Sequence, residues 1–245
     1  MDRHSLPTNR QHSIARSVVL HLLPGALITI FYIGAAPVVR DLGFPALMAF
    51  YLAIVLVLIP FELGYLLYRA RTEDVSLGSV VLYRDPVPRA QLVGLVTATF
   101  IWASLIAMLL FPALDQFLTD TFFSWVPAWF FYTEDFAQYS TAVLAITWVF
   151  GLLANGIAGP VVEELYFRGY LLPRMEKMKG WAPLVNAVLF SLYHFFAPAG
   201  NPSRIAGSIP MAYIVRWKKS IFLSMLAHCL LNTINCLATI PMFFQ

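Results

Sequence analysis

Charged side chains are scarce in this chain: Asp, Glu, Lys and Arg make up only 12% of its 245 residues, while 60% are hydrophobic. Soluble domains carry roughly 25% charged residues. The mean hydropathy of +0.73 agrees with the low charge, and both values indicate an integral membrane protein. The basic residues form no tract with interleaved aromatic residues, so we expect no nucleic-acid partner.

Cysteine is also rare, and several protease motifs are missing. Cys229 and Cys236 are the only cysteines, and seven residues of helix would separate them by ~10 Å, which is too far for a disulfide. The sequence contains no His-Glu-x-x-His motif. It also lacks the Gly-x-Ser-Gly serine motif and the Gly-x-Gly-Asp aspartyl motif. Intramembrane protease chemistries that depend on these motifs are therefore excluded.

Long apolar runs dominate what is present, and most approach the ~20 residues that cross a bilayer as a helix. Because lipid leaves no backbone group without a partner, we predict an all-α, polytopic membrane helix bundle with about seven transmembrane helices. Two of the runs are short, and whether both cross the membrane stays open. The runs cover residues 17–39, 44–68, 92–114, 141–172, 182–197, 205–217 and 220–244.

Lysine and arginine concentrate in every second connection between these runs. Such connections hold 14 basic residues, whereas the others hold two, Arg40 and Arg204. The positive-inside rule therefore places the N-terminus in the cytoplasm and the C-terminus outside. We expect a multi-pass protein of a bacterial plasma membrane, with one membrane domain. Residues 1–140 provide a cytoplasmic segment, three transmembrane helices and an aromatic-rich outer connection, and residues 141–245 provide the core helices that carry the motifs.

Ionisable and amide side chains occur inside three of the predicted spans. A charge at membrane depth costs at least a few kcal/mol on insertion scales, so such residues normally face a bundle interior or a watery cavity. With a rise of 1.5 Å per residue, the side chains reach ~14–20 Å from the cytoplasmic ends of their helices. Side chains on different helices can form one site open to the cytoplasm only if they lie at similar depths, as these do. The residues concerned are Glu164, His194, His228 and Asn232.

The spacing within each helix suggests roles for these residues. Glu164 and Arg168 are four residues apart, so they share a helix face and can pair. Glu163 points ~100° away around the helix and stays free to act as a base. His228 and Asn232 are also four residues apart, and both can donate hydrogen bonds to one point, as an oxyanion site requires.

Three further residues need an interpretation. Phe190 precedes His194 by one helical turn, and we expect it to pack on the imidazole. His21 has no polar partner at helical spacing and is interpreted as structural. Glu62 is about two turns from Arg69 and is expected to extend toward the membrane interface, with a cavity-lining role as the alternative.

Three motifs together resemble those of a known family. Glu163-Glu164-x-x-x-Arg168, Phe190-x-x-x-His194 and His228-x-x-x-Asn232 resemble, in order and spacing, the motifs of the CAAX-prenyl-protease and bacteriocin-processing family of intramembrane proteases, also called the CPBP or Abi family. The resemblance covers about residues 140–240. It implies hydrolysis of a peptide bond in a membrane-associated peptide or protein, as in CAAX-box protein processing.

The resemblance also implies roles for individual residues. Glu163 and His194 would activate the water, and His228 and Asn232 would stabilise the oxyanion. The candidate catalytic set therefore consists of Glu163, Glu164, His194, His228 and Asn232, with Arg168 and Phe190 as structural support.

A metal ion is a second way to activate the water. The family has also been described as metal-dependent, and Glu163, His194 and His228 would be the ligands of a divalent ion such as zinc. Ligand histidines need an acceptor behind their other ring nitrogen. With Glu164 paired to Arg168, few acceptors remain, which favours activation of the water without a metal.

Two other functions remain open at this stage. One is a noncatalytic membrane immunity or regulatory protein that binds a peptide in the same cavity. The other is a small proton-coupled transporter, although the chain has no internal repeat and no matching pair of interrupted helices. Activity on a peptide substrate that depends on Glu163 would separate the protease from both. The sequence names neither the substrate nor its lipidation state.

Overall fold

The structure is a computed structural model that describes residues 11–109 and 111–243. Within these residues the chain is helical, and its only pairing of extended backbone is an isolated bridge between Arg84 and Ser220. The α-helices are α1 Ile14–Asp41, α2 Ala46–Thr72, α3 Leu77–Val80, α4 Arg89–Leu109, α5 Phe111–Phe122, α6 Thr141–Gly151, α7 Gly159–Glu163, α8 Ala182–Leu192, α9 Asn201–Lys218, α10 Phe222–Ala238 and α11 Ile240–Phe243.

Four helical segments in the described residues are long and apolar enough to cross a membrane. They are Ile14–Asp41, Ala46–Thr72, Arg89–Leu109 and Thr141–Leu192. The apolar helix α10 is shorter. These segments confirm the prediction of an all-helical protein with several apolar helices. The predicted short runs correspond to α8, with 11 residues, and to α9, with 18 residues.

The predicted run 92–114 corresponds to α4, Arg89–Leu109, and to the first residues of α5 from Phe111, while position 110 lies outside the described residues.

The apolar run after Thr141 departs from regular α-helix at two places. The π-helical segment Leu152–Ala158 separates α6 from α7, and a second one, Glu164–Leu171, follows α7. We call residues 141–171 the motif helix. Helix α2 contains a similar π-helical turn, Ile54–Leu58. Such turns are rare and occur often at functional sites. The two in the motif helix lie on either side of Glu163, and the second begins at Glu164.

A backbone kink before the second motif and a close helix contact after it determine the path of the chain there. A kink at Lys179, where φ is 51° and ψ is −125°, turns the chain from the motif helix into α8. Helix α1 lies very close to the turn after α8. A Cβ atom at Gly25 would overlap the backbone carbonyl of Tyr193. The absence of a side chain at position 25 therefore allows α1 to support the turn that carries His194.

The buried core lies between α1, α2, the motif helix and α8. Half of the apolar window of α2 is buried, whereas α4 has a single buried residue, Thr99. Helix α4 packs against α9 and α10, and α10 packs in turn against the π-helical segment Leu152–Ala158. This arrangement brings the motif helix, α8 and α10 around one buried region.

Candidate active site

Glu164 and Arg168 form the pair that their helical spacing predicts. Nη1 of Arg168 lies 3.3 Å from Oε1 of Glu164, and both side chains are fully buried. The guanidinium also lies over the ring of Phe190, with Cζ 3.7 Å from the ring centre. A cation above an aromatic face is attracted by the negative charge of the π system. Arg168 therefore connects the motif helix to α8.

His228 contacts both glutamates of the first motif. Its Nδ1 lies 3.0 Å from Oε1 of Glu164, and its Nε2 lies 3.8 Å from Oε2 of Glu163. A carboxylate next to Nδ1 accepts a hydrogen bond from that nitrogen, so Nε2 is left for the side of Glu163. The structure thus brings the first and third motifs together, and Glu163 faces an imidazole instead of being without a neighbour.

His194 lies just beyond the end of α8, in a turn rather than inside a helix. Its Nδ1 lies 2.8 Å from the carbonyl oxygen of Phe190. The rings of Phe190 and His194 meet edge to face, with centroids 5.1 Å apart, and the Phe190 ring is 5.9 Å from that of His228. Phe190 therefore contacts both histidines. In the described part of the chain, His194 makes no direct hydrogen bond to Glu163, Glu164 or His228.

Asn232 is held by the first π-helical segment. Its Nδ2 donates to the carbonyl oxygen of Asn155 at 2.9 Å, and the neighbouring Thr233 hydroxyl donates to the Gly156 carbonyl at 3.4 Å. These bonds attach α10 to the motif helix. A side-chain amide has two N–H groups, so one N–H of Asn232 remains for another acceptor.

The expectation that few acceptors remain to orient the histidines was wrong. Glu164 accepts from His228 as well as pairing with Arg168, and the Phe190 carbonyl lies behind Nδ1 of His194. A metal site nevertheless needs its donors in one group. Among residues 11–109 and 111–243, no three His, Cys, Asp or Glu side chains are grouped so that they could hold an ion. Glu163, His194 and His228 do not fit a three-donor metal site in this arrangement.

Glu62 was expected near the membrane interface, and this was wrong. Its side chain is completely buried and lies within electrostatic range of Glu163, Glu164 and Arg168. Helix α2 carries it on the same face as Leu58 and Leu66, which are also buried. Its distance from Arg69 along the helix was a poor guide because α2 packs against the motif helix along this face. The sequence feature that could have placed Glu62 at the site is that it is an ionisable residue inside the apolar run 44–68.

Arg204 is a second residue that the sequence did not assign to the site. It was counted as a marker of an outer connection. The guanidinium lies within electrostatic range of Glu163 and His194, and it donates to Oδ1 of Asn201 at 2.6 Å. A further bond reaches the Ser191 carbonyl at 3.5 Å. Arg204 therefore ties the start of α9 to the turn that carries His194.

His21 occupies a packed position between helices. Its Nδ1 lies 2.6 Å from the Ser17 carbonyl and its Nε2 lies 2.9 Å from Nδ2 of Asn186. Asn186 also donates to the Phe167 carbonyl at 3.0 Å. These bonds join α1, α8 and the motif helix behind the site, which agrees with a structural role for His21.

The comparison with known families agrees with the three motifs. Residues 145–234 match the model of a family described as "Type II CAAX prenyl endopeptidase Rce1-like". The matched segment begins in α6 and includes every motif position from Glu163 to Asn232. No curated protein and no solved structure shows a significant match to the chain. The family match covers the residues whose three motifs resemble the CAAX-prenyl-protease and bacteriocin-processing family, and it confirms that resemblance.

Proposed function

We propose that this protein is an intramembrane endopeptidase of the CAAX-protease type, which hydrolyses a peptide bond in a membrane-associated peptide or protein. The observation that supports this most is the meeting of Glu163 and Glu164 with His228, with the Nε2–Oε2 and Nδ1–Oε1 distances of 3.8 and 3.0 Å. Water activation needs a base within reach of the water and a partner that orients it. Both are present here at a buried point.

In the proposed mechanism Glu163 is the base. It accepts a proton from the water as the water oxygen bonds to the carbonyl carbon and the carbonyl π electrons move to oxygen. His194, whose Nδ1 faces the Phe190 carbonyl, offers Nε2 as an acceptor to the same water. When the tetrahedral intermediate collapses, the C–N bond breaks and Glu163 returns the proton to the leaving nitrogen.

His228 and Asn232 stabilise the negative charge that develops on the carbonyl oxygen. The N–H of Asn232 that does not bond to Asn155 is one donor. His228 is the other donor, through Nε2, because its Nδ1 is directed at Glu164. Donors that are fixed before the reaction stabilise an oxyanion more than water does, because they need no reorganisation.

We also propose about seven membrane crossings, with the N-terminus and the site open to the cytoplasm and the C-terminus outside. The charge bias between alternate connections supports this orientation. Arg168 is fully buried and Arg204 is bonded inside the bundle, so neither reports on topology. Arg168 was counted in the connections rich in basic residues and Arg204 in the others, so the charge bias between the two sets remains when both are left out.

The function is tested with purified protein in liposomes. The substrates are a peptide with a prenylated cysteine followed by a free C-terminal tripeptide, the same peptide without the prenyl group, and a transmembrane peptide. Mass spectrometry of the products is expected to show cleavage of a membrane-associated peptide by the wild type and none by Glu163→Gln. The exposed carboxylate variant Asp41→Asn is the matched control and is expected to cleave normally.

Two outcomes would contradict this proposal. Tight binding of these peptides without cleavage would favour the noncatalytic alternative. Activity that disappears with a chelator and returns with zinc alone would replace the metal-free mechanism by a metal-dependent one.

A further inference from the structure

We propose that Glu62 is a positioning residue of the same site, which holds the Arg168 guanidinium from α2 and thereby fixes the Glu164–His228 pair. This inference rests on the proposed function, because a positioning role requires a reaction. Neither the three motifs nor the matched family segment, residues 145–234, includes Glu62.

The first observation is that Glu62 is buried without a partner. Its relative exposure is 0%, and neither carboxyl oxygen makes a hydrogen bond within the described residues. Nearly all buried polar atoms in folded proteins are hydrogen-bonded, and a buried charged group without a partner is costly. Glu62 therefore needs donors from a neighbouring helix, directly or through a buried water molecule.

Arg168, in contrast, has buried N–H donors without acceptors. Its Nε, Nη1 and Nη2 atoms are buried, and none makes a hydrogen bond with a described residue. The contact of Nη1 with Glu164 at 3.3 Å is an ion pair, and the flat face of the guanidinium rests on Phe190. The N–H groups lie in the guanidinium plane, so the ring contact does not use them.

Glu62 and Arg168 lie close enough to interact electrostatically. Helix α2 packs against both α7 and the π-helical segment Glu164–Leu171, which contains Arg168. The unused acceptors of α2 are therefore within electrostatic range of the unused donors of the motif helix, although Glu62 and Arg168 form no hydrogen bond among the described residues. A bridging water molecule between them satisfies both groups, and an arginine suits this because its fork of donors can bind two carboxylates at once.

This contact would act on the site through one shared oxygen. Oε1 of Glu164 contacts both Nη1 of Arg168 and Nδ1 of His228. A displacement of the guanidinium therefore moves the carboxyl group that orients His228. The proposed series of interactions runs from Glu62 through Arg168 and Glu164 to His228, and it connects α2, the motif helix and α10.

The activity test uses Glu62→Gln and Glu62→Leu in liposomes. In metal sites, loss of a residue that orients a ligand side chain typically costs 10- to 100-fold in affinity or activity, and we use this range as the scale for Glu62. We expect Glu62→Leu to lower kcat by about this factor with little change in KM, and Glu62→Gln, which keeps one acceptor oxygen, to lower it less. Glu73→Gln on the same helix is the matched control, because Glu73 pairs with Arg69 at 2.6 Å and is expected to keep wild-type kcat. A wild-type kcat in Glu62→Leu would overturn the proposal.

A thermal-melting cycle tests the contact without any substrate. The melting temperatures of Glu62→Leu, of Arg168→Met and of the double variant are compared in detergent, with Arg168→Lys replacing Arg168→Met if the latter does not fold. Residues in one network show non-additive effects, so the double variant is expected to lose less than the sum of the two single losses. Additive losses would overturn the contact. Non-additive losses in a protein that cleaves no peptide would support the contact and refute the proposed function alone.

Discussion

Nδ1 of His228 lies 3.0 Å from Oε1 of Glu164, a residue 64 positions earlier in the chain. This contact joins the first motif to the third motif. Because Arg168 pairs with the same carboxyl oxygen, the position of the imidazole depends on a buried ion pair. The glutamate next in sequence, Glu163, faces the other nitrogen of the same ring. Two adjacent carboxylates therefore have different surroundings, and this difference underlies the roles proposed for them.

The first prediction separates the roles of Arg168 and Glu163. Arg168→Ala leaves Glu164 buried without its cation, and breaking a buried pair typically costs ~3–5 kcal/mol in soluble proteins. We therefore expect a large loss of purified yield and melting temperature. Glu163→Gln keeps the size of the side chain and removes the base, so the fold should persist while cleavage is lost. Yield, melting temperature and cleavage are measured for both variants. A stable, active Arg168→Ala with an unfolded Glu163→Gln would reverse the assignment of roles.

The pairing of Glu164 with Arg168 could be predicted from spacing alone, because four residues along a helix always bring two side chains to one face. The contact with His228 could not be predicted in the same way. It depends on how α10 packs against the motif helix, and on two π-helical segments that change the direction of side chains. Coincident depth predicted a shared site but not which atoms would meet.

The second prediction concerns Asn232. Its remaining N–H is assigned to the oxyanion, and loss of one such donor typically costs on the order of 10²–10³ in kcat with little change in substrate binding. Asn232→Ala also removes the bond to the Asn155 carbonyl. Thr233→Val is the matched control, because it removes the adjacent bond to Gly156 without touching the proposed oxyanion. We expect Thr233→Val to keep most of its kcat. Full kcat in Asn232→Ala would remove the oxyanion assignment.

The third prediction concerns pH and the segment before α1. The backbone N–H of His12 donates to the Arg174 carbonyl at 2.8 Å. Burial, with the Arg16 and Arg174 guanidinium groups, lowers the pKa of His12 from 6.5 to about 3. Since the folded pKa lies below the unfolded one, the neutral form stabilises the fold. This contribution is complete above about pH 6.5 and is lost as the pH falls toward about 3.

Melting temperatures measured between about pH 7 and pH 5 test this contribution. The wild type is expected to lose more stability over this range than His12→Gln, which cannot gain a proton at position 12. Parallel curves for the two proteins would show that His12 does not contribute in this way.

The fourth prediction concerns topology. The bias of basic residues places the N-terminus and the segment 175–180 in the cytoplasm and the C-terminus outside. A reporter fused after Gln245 is expected to be accessible from outside, and one inserted between residues 175 and 180 only from the cytoplasm. Both reporters on one side of the membrane would refute the proposed orientation.

Composition was enough to predict an all-helical membrane protein, because a low charge and long apolar runs leave few other structures. Glu62 and Arg204 were missed as neighbours of the site because their partners lie on other helices, and spacing along one helix does not show those partners.

The central claim is that Glu163 activates water to hydrolyse a peptide bond in the membrane. The most direct measurement is cleavage of a membrane-anchored peptide in water enriched in ¹⁸O, with mass spectrometry of the new C-terminus, for the wild type and for Glu163→Gln. We predict that the wild type releases a product with one ¹⁸O atom in its new carboxyl group, and that Glu163→Gln, folded to the same melting temperature, releases none. Equal amounts of labelled product from both proteins would contradict the account.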